Sequence, residues 1–560
     1  MGQANHTPGA QALGAIFPHS GICFRRRAAA PGVTDRTVRS YAIRGAEDRQ
    51  GEQQMKVAVI GAGAMGRGIA QVAAAGGHRV IIHDASPDAL STVRTSISEG
   101  LDATVRRGKL SPEDAAAALA RVTVAAELAD IAEADIVIEA IVEDLEIKQQ
   151  IFASVEAIVS ERAVLASNTS SLAIGAIAKE MTDRERLIGL HFFNPVPAMK
   201  LVEIVARPDS RAELIEVASD FVRSIGKTGI RVMDSPGFLV NLAGRAYVTE
   251  ALAILDENVA TVDQVDRIAR SVLGFPLGPF ELMDLTGLDV NLPVTTNIFD
   301  ANFSHPLFRS TWYHRYLHEV GLLGRKTNGG FYRYGPPPGS EAQKAEHPPE
   351  GPALPIALSV DDDALRSRLA AAGVACTTSE EADLEVISPL GHDLSTACSI
   401  RGLDPRRTVG IDASFPTSDV LTVMVPPGVP AELLEGLTAQ LRGAFTVEVI
   451  NDSAGFIAQR LLAAVVNLGC EIAQRGVAAP EDIDTAVKLG LRYPHGPLAW
   501  ADEFGPSEVV EILHGQREST GDPRYMPSRW LSRRARAGLS TLTTDHLPAA
   551  GREIRPRSLL

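Results

Sequence analysis

Short apolar runs ending in polar residues alternate with helical stretches through the first 235 residues. Residues 55–61 read MKVAVIG, AGAMGRGIAQVAAAGG then opens a helix, and HRVIIHD is a second apolar run ending in an acid. ADIVIEAIVED and AVLASNTSS follow the same plan. This is the βαβ rhythm of a parallel, doubly wound α/β sheet. After DSPGFLVN the rhythm changes, and residues 237–320 carry long helical patterns with few strand candidates. YGPPPGSEAQKAEHPPEGPALP reads as a Pro/Gly-rich linker. Beyond it come short strand candidates (IALSV, LEVIS, TVGID, LTVMV), and NDSAGFIAQRLL begins a second helical block.

That block repeats the first. SPGFLVN at 235 matches SAGFIAQ at 453, and VDRIARSVLGFPLGPFELMDLTG at 265 matches IDTAVKLGLRYPHGPLAWADEFG at 483. The offset, 453 − 235 = 218, pairs Asp266 with Asp484, Gly278 with Gly496 and Asp284 with Asp502. A constant offset over such a length marks a duplication. The expected organisation is an N-terminal extension at 1–54, a dinucleotide domain at 55–234, a helical domain at 235–334, a linker at 335–354, a degenerate α/β region at 355–450 and a second helical domain at 451–560.

VIGAGAMGRGIA places Gly61, Gly63 and Gly66 in G-x-G-x-x-G spacing between a strand and a helix, and Asp84 follows 84 − 66 = 18 residues after the third glycine. This is the context of a Rossmann-type dinucleotide fingerprint. Gly61, Ala62, Gly63, Ala64, Met65 and Gly66 are expected to carry the pyrophosphate on backbone N–H groups at the helix N-terminus. Asp84 suits a ribose diol and repels a 2′-phosphate, which favours NAD over NADP.

RLIGLHFFNPVPAMKLVEIV, residues 186–205, sets His191 inside an apolar run and closes on Glu203. Oxidising an alcohol with NAD needs a base titrating near neutrality, which histidine supplies. Glu203 is a candidate to orient its ring if the chain folds back at Asn194–Pro197. ASNTSS, residues 166–171, falls at the carboxyl end of a strand candidate, where open α/β sheets bind ligands.

A length of 560 residues implies three or four domains. A net charge of −15 argues against nucleic-acid and anionic-membrane partners. No charge-free apolar run reaches the roughly 18 residues of a membrane span. Cys23, Cys376, Cys398 and Cys470 are scattered, with no CxxC pair, which fits a reducing, cytoplasmic setting with no structural metal. Residues 1–54 lack an acid up to Thr34 and contain FRRRAAAPG; they read as a disordered or mis-started extension, with a targeting peptide as the alternative.

VIGAGAMGRGIA, IEAIVEDLEIK, SNTSSL, GLHFFNPVPAMKLVEIV, DSPGFLVN, GFPLGPFELMDLTGLD and GRKTNGGFY, in that order, resemble the L-3-hydroxyacyl-CoA dehydrogenase family over residues 55 to about 334. The remainder is similar to its longer bacterial members, among them the 3-hydroxyadipyl-CoA dehydrogenases of phenylacetate breakdown. The resemblance implies NAD-dependent oxidation of an acyl-CoA substrate, of the fatty-acid β-oxidation type, on a short acyl group or one with a second carboxylate. It implies His191 as base with Glu203 as partner, Ser170 and Asn241 on the substrate oxygens, Asn194 at the nicotinamide, and Glu143, Lys148 and Lys326 on NAD. It also implies that the two helical domains pack as an intrachain pseudo-dimer, with further homo-oligomers open. The chain departs from the family pattern where Gly100 stands for a CoA-contacting serine and where Arg107, in place of a lysine, is left to bind the substrate by pairing with CoA phosphate, and VNLAGR lacks the arginine that commonly follows the asparagine. A β-hydroxyacid dehydrogenase would be expected to carry a lysine after DSPGFLVN, which is missing; a non-catalytic NAD-binding protein is the other alternative.

RTVGIDASFP at 407 echoes RLIGLHFFNP at 186. The offset, 407 − 186 = 221, sets Asp412 against His191, Phe415 against Asn194 and Met424 against Glu203. An ionised aspartate is a poor base for an alcohol, so the second α/β region is expected to be inert.

Overall fold

The computed structural model describes residues 54–335, 354–359, 363–371, 373–374 and 376–545. Apart from end residues, the expected extension and linker lie outside these. The first sheet comprises β1 Lys56–Ile60, β2 Arg79–His83, β3 Val122–Ala125, β4 Ile136–Glu139, β5 Val164–Ser167, β6 Leu187–Phe192, β7 Leu201–Ala206 and β8 Thr228–Met233. Its order is β3-β2-β1-β4-β5-β6-β7-β8, and only β6 and β7 pair antiparallel. The direction of winding reverses between β1 and β4, which opens a ligand crevice at their carboxyl ends. The strands read as unbroken apolar runs because both faces are covered. Helices Ala64–Ala75, Pro87–Arg106 and Ala212–Ser224 cover one face, and the other merges with the core of the helical regions.

Alternation along β6 and β7 decides which way the site residues point. Ile188, Leu190, Phe192, Val202 and Ile204 pack on the first face. His191 and Glu203 therefore take the opposite face, with Leu187, Leu201 and Val205, toward the helical region.

The second sheet comprises β9 Ile356–Leu358, β10 Cys376–Thr377, β11 Leu384–Ile387, β12 Thr408–Ile411, β13 Val420–Val425 and β14 Thr446–Asn451. Its order is β10-β9-β11-β12-β13-β14, again with one antiparallel pair, β12 and β13. Strands β11 to β14 thus repeat the pairing senses of β5 to β8, with two strands beyond them instead of four.

The helical repeat is reproduced in atomic detail. Asp266 accepts from Phe280 N and Glu281 N, both at 2.9 Å, and Asp484 accepts from Leu498 N and Ala499 N at the same distance. Each aspartate caps the helix after a G-P turn. A Cβ at Gly278 or Gly496 would lie 2.1 Å from the Cγ of its aspartate, so both turns demand glycine. Helix Ile457–Gln474 is buried on almost every side and packs against helix Arg245–Asp256. No helix among the described residues is long and apolar enough to cross a membrane.

Candidate active site

The glycine loop between β1 and the first helix is shaped by contact on one side and space on the other. Gly61 has φ 110°, and a Cβ there would meet Ala140 O at 2.4 Å; one at Gly66 would meet Gly61 O at 1.8 Å. A Cβ at Gly63 would meet nothing within 4 Å. Helix Ala64–Ala75 begins with no side-chain cap and no acid in its first turn, leaving the positive end of its dipole for an anion. Asp84, one residue beyond β2, accepts from Ala62 N at 2.7 Å and Ser86 N at 2.8 Å. An open face over Gly63, an uncapped helix start and a carboxylate at the second strand end fit a dinucleotide.

Beyond the loop, Glu139 ends β4 fully buried and accepts from Lys148 Nζ at 2.5 Å, Ser167 Oγ at 2.6 Å and Ile141 N at 2.7 Å. Lys148, itself 1% exposed, lies 3.4 Å from Glu143. Glu143 Oε1 gathers Thr169 Oγ1 at 2.6 Å, Ser171 Oγ at 2.9 Å and the N–H groups of Ser170 and Ser171 at 3.0 and 3.1 Å. Burial works against the Glu143 carboxylate, but the Thr169 hydroxyl, the Lys148 charge and the loop donors outweigh it and hold its pKa below the usual value. Glu139 was not singled out in the sequence, although an acid ending the apolar run IVIE is as anomalous as His191.

His191 stands opposite Glu203 in the β6–β7 register. Its Nδ1 is 2.6 Å from Glu203 Oε2, and the two residues are 6% and 0% exposed. Glu203 Oε1 accepts from Leu239 N at 3.0 Å and Val240 N at 2.8 Å. These two N–H groups, at the start of the helical region, had no signal in the sequence. They fix the carboxylate so that its other oxygen accepts a hydrogen bond from Nδ1–H, which leaves Nε2 as the acceptor. Phe193 and Phe238 flank the imidazole, with ring centroids 4.4 and 5.7 Å away.

Asn241, one residue past that anchor, donates through Nδ2 to Ser170 O at 3.4 Å, which brings the helical region and the ASNTSS loop together beside His191. Ser170 is exposed. Asn194 is exposed on the β6–β7 loop, where it borders a cavity of about 250 Å³ with Arg67, Gln71 and Ser96. Lys326 pairs with Asp289 at 2.5 Å in the helical region. Arg107 is exposed at the C-cap of helix Pro87–Arg106. At Gly100 a Cβ would lie 2.3 Å from Gln71 Oε1, so the buried Gln71 occupies the space a serine side chain would take.

The second copy corrects one correspondence. Gly410 pairs with Met424 and Ile411 with Val423, and Asp412 N bonds Thr422 O at 3.1 Å. Thr422, not Met424, therefore stands where Glu203 does, because this hairpin is two residues shorter than the fixed offset assumed. Asp412 is buried, accepts from Gln459 Nε2 at 3.1 Å and leaves Oδ2 without a partner. Burial raises its pKa, so the expected ordinary ionised aspartate is a shielded one.

Residues 56–235 match the NAD binding domain of 3-hydroxyacyl-CoA dehydrogenase, and residues 237–334 and 455–546 both match that family's C-terminal domain. The 3-hydroxyadipyl-CoA dehydrogenase of Escherichia coli (strain K12) is 36% identical over 86% of this chain and 97% of its own length. Mitochondrial hydroxyacyl-coenzyme A dehydrogenase of Sus scrofa is 37% identical over 50% of this chain and 90% of its own. The crystal structure of a 3-hydroxybutyryl-CoA dehydrogenase from Escherichia coli K12 superposes with a TM-score of 0.76 at 34% identity, covering 87% of this chain and 99% of that one. An NAD-binding domain followed by a C-terminal domain matched twice, as the duplicated caps require, makes this chain a member of the 3-hydroxyacyl-CoA dehydrogenase family.

Proposed function

We propose that His191 is the base of an NAD-dependent 3-hydroxyacyl-CoA oxidation, with Glu203 as the group that orients and charges it. The observation that carries this reading is the 2.6 Å contact between His191 Nδ1 and Glu203 Oε2. Glu203 is locked by two backbone N–H groups, so the imidazole is held with Nε2 free to accept the 3-hydroxyl proton of the substrate. The buried carboxylate then stabilises the imidazolium that forms. Ser170 and Asn241 lie where the substrate oxygens would be held, and the Glu143–Lys148–Glu139 chain keeps the Ser170 loop in place.

Gly61–Gly66 would hold the NAD pyrophosphate, Asp84 its ribose and Asn194 its nicotinamide end, and NAD would supply the acceptor for the hydride leaving C3 of the substrate. Phe193 and Phe238 wall the imidazole with apolar surface, which would limit the access of water to the proton transfer. The relatives act on 3-hydroxyadipyl-CoA and 3-hydroxybutyryl-CoA, and both acyl classes fit the reacting end.

The second helical region takes the place of a partner subunit in this reading. Its support is the fully buried Arg460, which reaches across to Glu250 at 2.7 Å and Glu257 at 2.6 Å. A cytoplasmic location accords with Cys376, Cys398 and Cys470, all unpaired.

His191→Ala assayed with acetoacetyl-CoA and NADH at the nicotinamide absorbance band should lose about 10²–10⁴-fold in kcat/KM. Near wild-type turnover by a folded variant rejects the assignment of the base.

A further inference from the structure

Arg245 is a buried cation that pairs with no carboxylate among the described residues. It sits one helical turn past Asn241 and is 8% exposed. Its Nε donates to Asn241 O at 3.1 Å, and its Nη1 donates to Thr295 Oγ1 at 2.7 Å and Asn291 Oδ1 at 3.4 Å. All three acceptors are neutral, and Nη2 has no hydrogen-bond partner among the described residues. Arg460, fully buried, shows the usual solution: two carboxylates and a tyrosine hydroxyl meet its guanidinium. An unpaired buried charge destabilises a fold unless something arrives to pair it.

Two further groups around Arg245 are also unsatisfied. The buried Tyr493 hydroxyl has no hydrogen-bond partner among the described residues, and neither has Nε2 of His314, whose Nδ1 is 2.9 Å from Ser310 Oγ. Burial and the Arg245 charge pull the His314 pKa down to about 4, so its ring is neutral and Nε2 can carry a proton toward an anion. Burial lowers the Arg245 pKa to about 10, which leaves it charged at neutral pH. Tyr493 enters from the second helical region, on a turn where Arg492 adopts φ 57°.

We propose that Arg245, walled by Asn291, Thr295 and Tyr493, is the receptor for the terminal carboxylate of a dicarboxylic 3-hydroxyacyl-CoA of about six acyl carbons. The proposal rests on the placement of the reacting carbon between His191, Ser170 and Asn241. Arg245 Nε lies 3.1 Å from the main-chain oxygen of Asn241, so the guanidinium folds back beside the residue whose side chain reaches Ser170. From C3 to a C6 carboxylate carbon is three bonds, the reach of one extended residue or ~3.5 Å, and an N–H···O contact of about 2.9 Å extends that reach toward the guanidinium. A four-carbon acyl group ends short of the guanidinium and leaves it unpaired. Sites built on a buried polar partner discriminate strongly against analogues that lack it.

The experiment compares kcat/KM for 3-hydroxyadipyl-CoA and 3-hydroxybutyryl-CoA in the full chain. The wild type should favour the dicarboxylic substrate by about 100-fold or more. Arg245→Met should collapse that ratio to within a fewfold of one, and Arg245→Lys, which keeps the charge but not the fork, should fall between. Tyr493→Phe, which retains the ring, should lower the ratio about 3–10-fold and serves if Arg245→Met does not fold. A ratio near one in the wild type, or one that neither Arg245 nor Tyr493 substitution moves, overturns the proposal. The dissociation constants of adipyl-CoA and butyryl-CoA, which have no 3-hydroxyl to oxidise, are measured on His191→Ala protein. Their ratio reads the Arg245 contact by itself, so an error about the base and an error about the receptor give different results.

Discussion

At the scale of single residues, the His191–Glu203 pair makes a sharp prediction because only one oxygen of Glu203 faces the ring. In Glu203→Gln the amide oxygen can still accept from Leu239 and Val240 N–H, but the NH₂ group then points at Nδ1 and demands an acceptor there. The imidazole is forced into the tautomer that carries its proton on Nε2, where it cannot take the substrate proton. We expect kcat to fall about 10³-fold with the fold intact, a magnitude typical for removing a positioned acid–base function. Steady-state rates and a thermal melt on the same sample check it; a small loss in rate means that Glu203 does not set the tautomer. Both residues were legible in the sequence, because a titratable ring in an apolar strand is conspicuous and a fold-back at Asn194–Pro197 would bring the acid to it. Arg245 was not legible: an arginine in a helix normally reads as surface, and only the surrounding burial reveals an unpaired charge. The Met424 correspondence failed for a related reason, since an offset carried from the helices cannot register a two-residue change in a hairpin.

At the scale of elements, the glycine loop and the β6–β7 loop can each be tested by how they are held. Gly63 opens on space, so Gly63→Ala should melt within a degree or two of the wild type yet bind NAD at least about 10-fold more weakly, since the methyl group stands where the pyrophosphate approaches. Gly66→Ala forces a methyl group to within 1.8 Å of Gly61 O and should lower the melting temperature as well. Calorimetric titration with NAD and a melt for each variant separate the two; equal destabilisation would contradict the reading of Gly63 as an open face. The second loop is clamped by Lys227, whose Nζ donates to Val196 O at 2.7 Å and Met199 O at 2.6 Å. Burial pulls this amine from 10.5 to about 8. Between those values the unfolded chain holds the proton and the folded chain does not, so this group adds stability as pH rises from about 8 to about 10.5, by roughly 3 kcal/mol over the window. Denaturant midpoints of wild type and Lys227→Met should therefore move apart in favour of the wild type across that range, and parallel curves would show that Lys227 keeps its proton. The βαβ order was legible at this scale because covered strands must be apolar, whereas these clamps join residues remote in sequence and leave no local pattern.

At the scale of the whole molecule, the duplicated half is both wall and core. Tyr493 closes the receptor around Arg245, while helix Ile457–Gln474 lies inside the shared core instead of beside it. The charge knot at its start is the sensitive point: Arg460 meets Glu250, Glu257 and the Tyr525 hydroxyl, the last at 2.9 Å. Burial raises the Glu250 pKa, and Arg460 is the first of the groups that pull it back. Arg460→Ala removes that pull and leaves a buried carboxylate, which should cost about 3–5 kcal/mol at neutral pH. The sign of the pH dependence follows from the direction of the shift. With its folded pKa raised further above the unfolded 4.5, Glu250 holds a proton that the unfolded chain has lost, so the variant loses stability as pH climbs above about 4.5. The deficit should thus be smaller at pH 5 than at pH 8, and the double change Arg460→Met with Glu250→Gln should recover much of it by removing both charges together. Melts of the two variants at both pH values decide the matter. A deficit that is small and independent of pH would mean that the halves are joined by apolar packing alone, and that Arg460 is not what ties the two copies together.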